Sequence, residues 1–205
     1  MTVSVASADM CENCRYIAGT DEVGRGALAG DVIAAAVILD DKKPILGLSD
    51  SKKLTSNKRD SLYNVILTQA LGVSIGRASV SEIDELNILQ ASLLAMERAV
   101  SSLSILPEYV LVDGIHLPNW NYKSQAIIKG DQKVASIAAA SIVAKVFRDR
   151  ELVSLDSVYP QFDFRANKGY PTKKHLRALV KYGPCPIHRF SFAPVLKNVR
   201  ADSVF

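Results

Sequence analysis

Thr20-Asp21-Glu22-Val23-Gly24-Arg25-Gly26 sets two adjacent carboxylates directly before a Gly-Arg-Gly turn. A short, largely apolar stretch (16–19) precedes it and an unbroken apolar run (32–39) follows, and both read as strands. The link between them is too short for a crossover, which predicts an antiparallel pair. A carboxylate pair where a strand yields to a glycine turn can grip a hard cation. The glycines let backbone approach a ligand closely, and Arg25 offers a fork for phosphate. The stretch points to metal-dependent chemistry on a phosphodiester.

Working outward, Asp50-Ser51-Lys52-Lys53-Leu54 leads into a helix capped by Thr55 or Ser56, with Leu62, Val65 and Ile66 inward. Residues 71–80 read as a third strand. Ser81-Glu82-Ile83-Asp84 resembles a capping box opening one long helix to about Leu103, with Leu86, Leu89, Leu93, Met96, Val100 and Leu103 as its buried stripe. Strands are expected at 108–113 and 125–129, and helices at 134–155 and 172–182. The small-residue run Ala138-Ala139-Ala140-Ser141 lets the first of those helices sit close against a sheet. The order predicts an α/β fold: a mixed five-stranded sheet flanked by helices, with a small helical C-terminal annex. The expected organisation is a flexible tail (1–14), a catalytic domain (15–158) and a basic helical extension (159–205) packed on the same domain.

Composition narrows the function classes. The 48% apolar and 22% charged fractions exclude disordered and membrane proteins. No apolar run is long enough to span a bilayer, and no secretory pattern opens the chain, so the cytoplasm is the expected compartment. Three cysteines give no disulfide framework. Cys11-x-x-Cys14 lacks the further ligands a closed zinc site needs, and a tail with reduced thiols is expected there. The net charge is +4, and residues 164–200 hold nine basic side chains and no acid. That skew suits a polyanionic partner, although a solvated basic surface explains it equally well.

Asp21, Asp113 and Asp131 each fall where a strand is expected to end, and ligands gather at the carboxyl ends of central strands in such sheets. Singly, Asp113-Gly114 and Gly130-Asp131 are ordinary turn chemistry. Asp21 and Glu22 face opposite sides of a regular strand and converge only if it ends or twists. Together, Asp21, Glu22, Asp113 and Asp131 form an oxygen-only set that selects Mg2+ or Mn2+ over zinc and suits a two-metal phosphodiester site.

Asp21 to Gly26, Asp50 to Leu54, Val112-Asp113-Gly114 and Lys129-Gly130-Asp131 resemble type 2 ribonuclease H, the bacterial ribonuclease HII. So do the helix Ser136 to Val146, Asn167-Lys168-Gly169-Tyr170-Pro171-Thr172 and the ending Pro186 to Phe192, in order along the chain from about Tyr16 to Val195. The resemblance implies a ribonuclease H-like fold and an endonuclease. It would cut the RNA strand of RNA–DNA hybrids and incise duplex DNA on the 5′ side of single ribonucleotides, leaving 3′-hydroxyl and 5′-phosphate ends. It also implies a two-metal site of Mn2+ or Mg2+ on Asp21, Glu22, Asp113 and Asp131. Gly24, Arg25 and Gly26 would read the ribose 2′-hydroxyl, and Tyr170 would pack against the adjoining sugar.

A 2′-hydroxyl both donates and accepts, and is the local mark of RNA. Lys52, Lys53, Lys145, Arg148 and Lys168 are candidate phosphate contacts; for each, a solvated or structural role is nearly as good a reading. His175 is expected at the surface or beside a phosphate, His188 as an anchor of the C-terminal turn, and Trp120 as packing or a base-stacking platform. Two rival functions are a nuclease of the same fold acting on all-DNA substrates and a non-catalytic hybrid-binding module. The Gly-Arg-Gly turn speaks against the first and four intact acids against the second. A monomer is expected.

Overall fold

The apolar run forms β2, Val32–Ile38, which is buried along its whole length. Its alternating side chains enter two different cores. Val32, Ala34, Ala36 and Ile38 join one cluster, and Ile33, Ala35 and Val37 join another on the opposite face. A strand covered on both faces has no polar side to show, which is why it reads as continuous rather than alternating. This is a computed structural model that describes residue 11 and residues 14–199.

The other strands are β1 (Ile17–Val23), β3 (Gly72–Ala78), β4 (Tyr109–Asp113) and β5 (Ser124–Ile127). The sheet order is β3-β2-β1-β4-β5. β1 runs antiparallel to β2 and parallel to β4, so the sheet is mixed and five-stranded as expected. α1 (Ser56–Gln69), capped by Thr55, and α4 (Ala135–Leu155) cover one face. α3 (Ile88–Ser101) covers the other. Close approach is enforced on both sides. A Cβ on Gly19 would lie 2.3 Å from Ile137 N in α4, and one on Gly76 would lie 2.1 Å from Ala95 O in α3.

The long helix expected at 81–103 is two helices. α2 (Val80–Leu86) opens on a capping box of Ser79 and Glu82, ahead of the expected start. The chain then breaks at Asn87, which has φ 71° and whose Oδ1 accepts from the N–H groups of Leu89 and Gln90. A side chain that caps the next helix competes with continuing the first. The break redirects α3, so its sheet-facing side is Ala91, Ala95, Met96, Ala99 and Val100, while Leu86 is 38% exposed. Asp84, freed of a capping role, accepts from Phe190 N, Ser191 N and Ser191 Oγ.

α5 (Phe164–Asn167), α6 (Lys173–Tyr182) and α7 (Ala193–Leu196) follow α4. Phe162, Phe164, Leu179 and Val195 bury against Leu28, Ala29 and Leu152, tying this region to the loop after β1. Cys11 and Cys14 are joined by a disulfide, contrary to the reduced thiols expected; Cys14 N donates to Cys11 O at 3.1 Å and the two Cα atoms lie 5.4 Å apart, within reach of the bond. The rest of the expected tail lies outside the described residues. Among the described residues, no helix is long and apolar enough to cross a membrane.

Candidate active site

The parallel pairing of β1 with β4 ends at Thr20↔Val112, so Asp21 and Asp113 are the next residues of adjacent strands. Asp113 Oδ1 accepts from Gly130 N at 2.6 Å and from Asp131 N at 3.4 Å, which docks the 3-10 turn Gly130–Gln132 onto the end of β4. Asp131 thus stands beyond β5, in the turn that leads into α4, rather than at a strand end. Gly130 is confined there, since a Cβ would meet Ile137 Cδ1 at 2.5 Å. Asp21 Oδ1 accepts from Glu22 N at 2.7 Å, folding the first carboxylate back over the next peptide. β1 does not end at the pair, since its ladder with β2 runs on through Glu22↔Ala34 to Val23↔Ile33.

The four acids act on one another. Burial, then the charges of Glu22 and Asp113, hold the Asp21 carboxyl well above the usual range; a Ser141 hydrogen bond opposes them and Asp131 adds to them. Burial raises Glu22, and Arg25, 3.1 Å away, opposes that rise without cancelling it. Asp131 is raised by burial, then by Asp113 and Asp50, with Lys52 opposing. A buried carboxylate among three others is disfavoured unless a cation joins them, and an oxygen-only set suits a hard divalent ion. The donor set therefore fits Mg2+ or Mn2+. Among the described residues, no three acid, His or Cys side chains are placed so as to hold a metal ion without rearrangement.

Asp50 is a fifth acid that the sequence reading passed over. It is 6% exposed and accepts from Lys52 N at 2.9 Å and Gln132 Nε2 at 3.4 Å, so its turn is docked on that of Asp131. Its motif is visible in the chain; its partner Gln132, 82 positions on, is not.

Across the site, Gly24 has φ +96° and Arg25 is exposed. A Cβ on Gly26 would sit 3.9 Å from Tyr170 Cε1, so the glycine turn and the tyrosine face each other. Lys145 Nζ lies 5.8 Å from the Tyr170 ring centre and is paired with Asp149 at 2.8 Å. Lys52 and Lys53 are exposed, with Lys53 Nζ 3.4 Å from Gln132 Oε1. Lys168 donates to Arg165 O and lines a separate cleft with Arg59 and Arg150. Arg148 is 0% exposed and donates to the carbonyls of Ala29, Asp31 and Lys168. With its guanidinium so committed, it is not the phosphate contact expected.

A cleft of about 250 Å³ opens beside the acids, between Glu22, Arg25, Asp113 and His116 on one side and Leu89 and Leu93 of α3 on the other. Two leucines assigned to the buried stripe therefore wall the site, because the break at Asn87 redirects their helix. Trp120 packs on the core and donates from Nε1 to Ser124 Oγ.

His175 is buried, not at the surface, because α6 turns it inward against Phe162 and Phe164. Its partners fix the tautomers. His188 Nδ1 accepts from Cys185 N, so His188 Nε2–H donates to His175 Nε2 at 3.0 Å, and His175 Nδ1–H donates to Tyr170 O at 2.9 Å. Burial and then His175 push His188 down to about 4. The unfolded chain, with histidine near ~6.5, takes up this proton first. Stability is then fully present above about 6.5 and falls as pH drops toward 4. Denaturant titrations are expected to show wild type losing on the order of 1–2 kcal/mol more than His188→Asn between pH 7 and pH 5. Equal losses would refute the neutral buried pair.

A model of the family described as ribonuclease HII matches residues 18–195. The ribonuclease HII of Shewanella amazonensis is 57% identical over 187 residues, 91% of this chain and 91% of that protein. The ribonuclease H2 structure from Pyrococcus horikoshii OT3 is similar with a TM-score of 0.73 at 28% identity, covering 89% of this chain and 96% of its own. Bst ribonuclease HIII, solved in complex with Mn2+, shares the fold with a TM-score of 0.69 at 17% identity, over 94% of this chain and 72% of its own.

Proposed function

Because the chain belongs to the ribonuclease HII family, metal-dependent nucleases acting on RNA–DNA hybrids, we propose that it also incises duplex DNA 5′ of single embedded ribonucleotides. The observation that carries this reading is the facing pair of Gly26 and Tyr170 beside the acid cluster. A reader of one sugar needs a donor and acceptor at its 2′ position and a flat wall behind it. Backbone at Gly24 and Gly26 supplies the first and the Tyr170 ring the second.

Asp21, Glu22, Asp113 and Asp131 hold two divalent ions in this reading, Mn2+ or Mg2+. Bound there, the ions supply Lewis acidity to activate water and to stabilise the leaving 3′-oxygen. The chain's own part is placement. The Gly130–Gln132 turn holds Asp131 beside Asp113, while Lys52 and Lys53 meet phosphates at the open edge.

The test is incubation with Mn2+ or Mg2+ and two labelled duplexes, one all-DNA and one with a single ribonucleotide. A cut 5′ of the ribonucleotide, leaving a 3′-hydroxyl, and an intact all-DNA duplex are expected. Efficient cutting of the all-DNA duplex would favour the rival nuclease. Affinity is expected to fall steeply as salt rises, and a flat response would remove the role given to the basic side chains.

A further inference from the structure

We propose that Arg148 and Arg189 are positioning residues that set the gap between the Gly-Arg-Gly turn and Tyr170, and thereby the discrimination of a single ribonucleotide. The inference rests on the functional reading above. Both side chains are 0% exposed. Arg189 donates to Arg25 O at 3.1 Å, to Ala27 O at 2.8 Å, and twice to Gly30 O, at 2.9 and 2.7 Å. Arg148 takes Ala29 O at 2.9 Å, Asp31 O at 3.1 Å and, from the tyrosine loop, Lys168 O at 2.9 Å. Five carbonyls between Arg25 and Asp31 are held by two planar forks.

Among the described residues, neither guanidinium forms an ion pair. Two buried like charges held by carbonyl oxygens and ring faces, with no carboxylate paired to either, are a costly way to close a loop. A guanidinium does something a backbone bond does not: its rigid plane fixes several acceptors relative to one another. Arg148 in particular spans the gap. A Cβ on Gly24 would lie 2.4 Å from its Nε, and its Cζ sits 5.7 Å from the Tyr170 ring centre. The two loops also bond directly, Leu28 N to Gly169 O at 2.8 Å. One side chain thus touches the reader, the loop behind it and the tyrosine.

The experiment is a double-mutant cycle of Arg148→Lys and Tyr170→Ala, with kcat and KM measured on the single-ribonucleotide duplex in Mn2+. A lysine keeps the charge but cannot fork three carbonyls. In the wild-type background, kcat is expected to fall roughly 10- to 100-fold with KM within about threefold. In the Tyr170→Ala background the same change should cost less than about threefold, since there is no ring left to place. A merely structural role lowers both backgrounds by one factor, and that outcome, or no loss in either, overturns the inference. Should Arg148→Lys not fold, Gly169→Ala replaces it in the cycle. Its Cβ would meet Ala29 O at 2.7 Å and lie 3.5 Å from Arg148 Nη2, wedging the same gap while the guanidinium itself is kept. Wild type that fails to cut this duplex sinks the functional reading together with this one; wild type that cuts, with equal losses in both backgrounds, sinks this one alone.

Discussion

Asp21→Asn is expected to lower cleavage of an RNA–DNA hybrid by on the order of 10³-fold, about 4 kcal/mol of barrier, while leaving duplex affinity nearly unchanged. The side chain keeps its shape and loses its charge. Asp21 sits at the centre of the cluster, 7% exposed, under the influence of Glu22, Asp113 and Asp131 together. Neutralising it removes one oxygen anion from the set proposed to hold the ions. The same change has an opposite effect on the metal-free fold. A buried carboxylate facing three like charges weakens the native state, so the variant should melt several degrees higher than wild type in chelator, on the scale of 2–4 °C per kcal/mol for a chain of this size. Activity lost with stability gained is the signature of a charge kept for function. Two results would count against the assignment: a variant cleaving within tenfold of wild type, or one that has lost binding to the same degree as cleavage.

Gly19→Ala is expected, like Gly76→Ala, to be among the most damaging single-methyl additions to the fold. The new Cβ would lie 2.3 Å from both Ile137 N and Ser136 C. Those are backbone atoms of α4, with no rotamer to yield, so β1 and the helix must separate. Overpacking of this kind costs about 3 kcal/mol, which at 2–4 °C per kcal/mol lowers the melting temperature by about 6–12 °C. The site should suffer with it, because Asp21 lies two residues along β1 and Asp131 just ahead of α4. Thermal unfolding of the purified variant decides the matter; a melting temperature within about 2 °C of wild type would mean that the helix does not approach the strand so closely.

Much of the architecture was legible because it is written in local periodicity. A strand covered on both faces reads as the continuous run Val32–Ile38, and a glycine-rich turn after two acids reads as a strand about to end, as β1 does at Val23. The small residues of α4 announced the close contact that Gly19 makes possible. Where local signals compete, the pattern misled. The leucines from 86 to 103 step correctly for one helix, but the Asn87 side chain caps the second, and Leu89 and Leu93 line the site cleft, Leu93 while also packing on the core.

What the chain determined by itself is which residue types stand at which strand and turn, since propensity, alternation and turn chemistry depend on near neighbours. What only the tertiary structure decided is which of them meet. Asp50 reaching Gln132, His175 finding His188, and two arginines holding the carbonyls of a loop more than a hundred positions away are long-range pairings that leave no periodic trace. Nor does a sequence say whether a given arginine faces solvent or is buried. That depends on whether the folded backbone brings enough carbonyls to one point to replace its water.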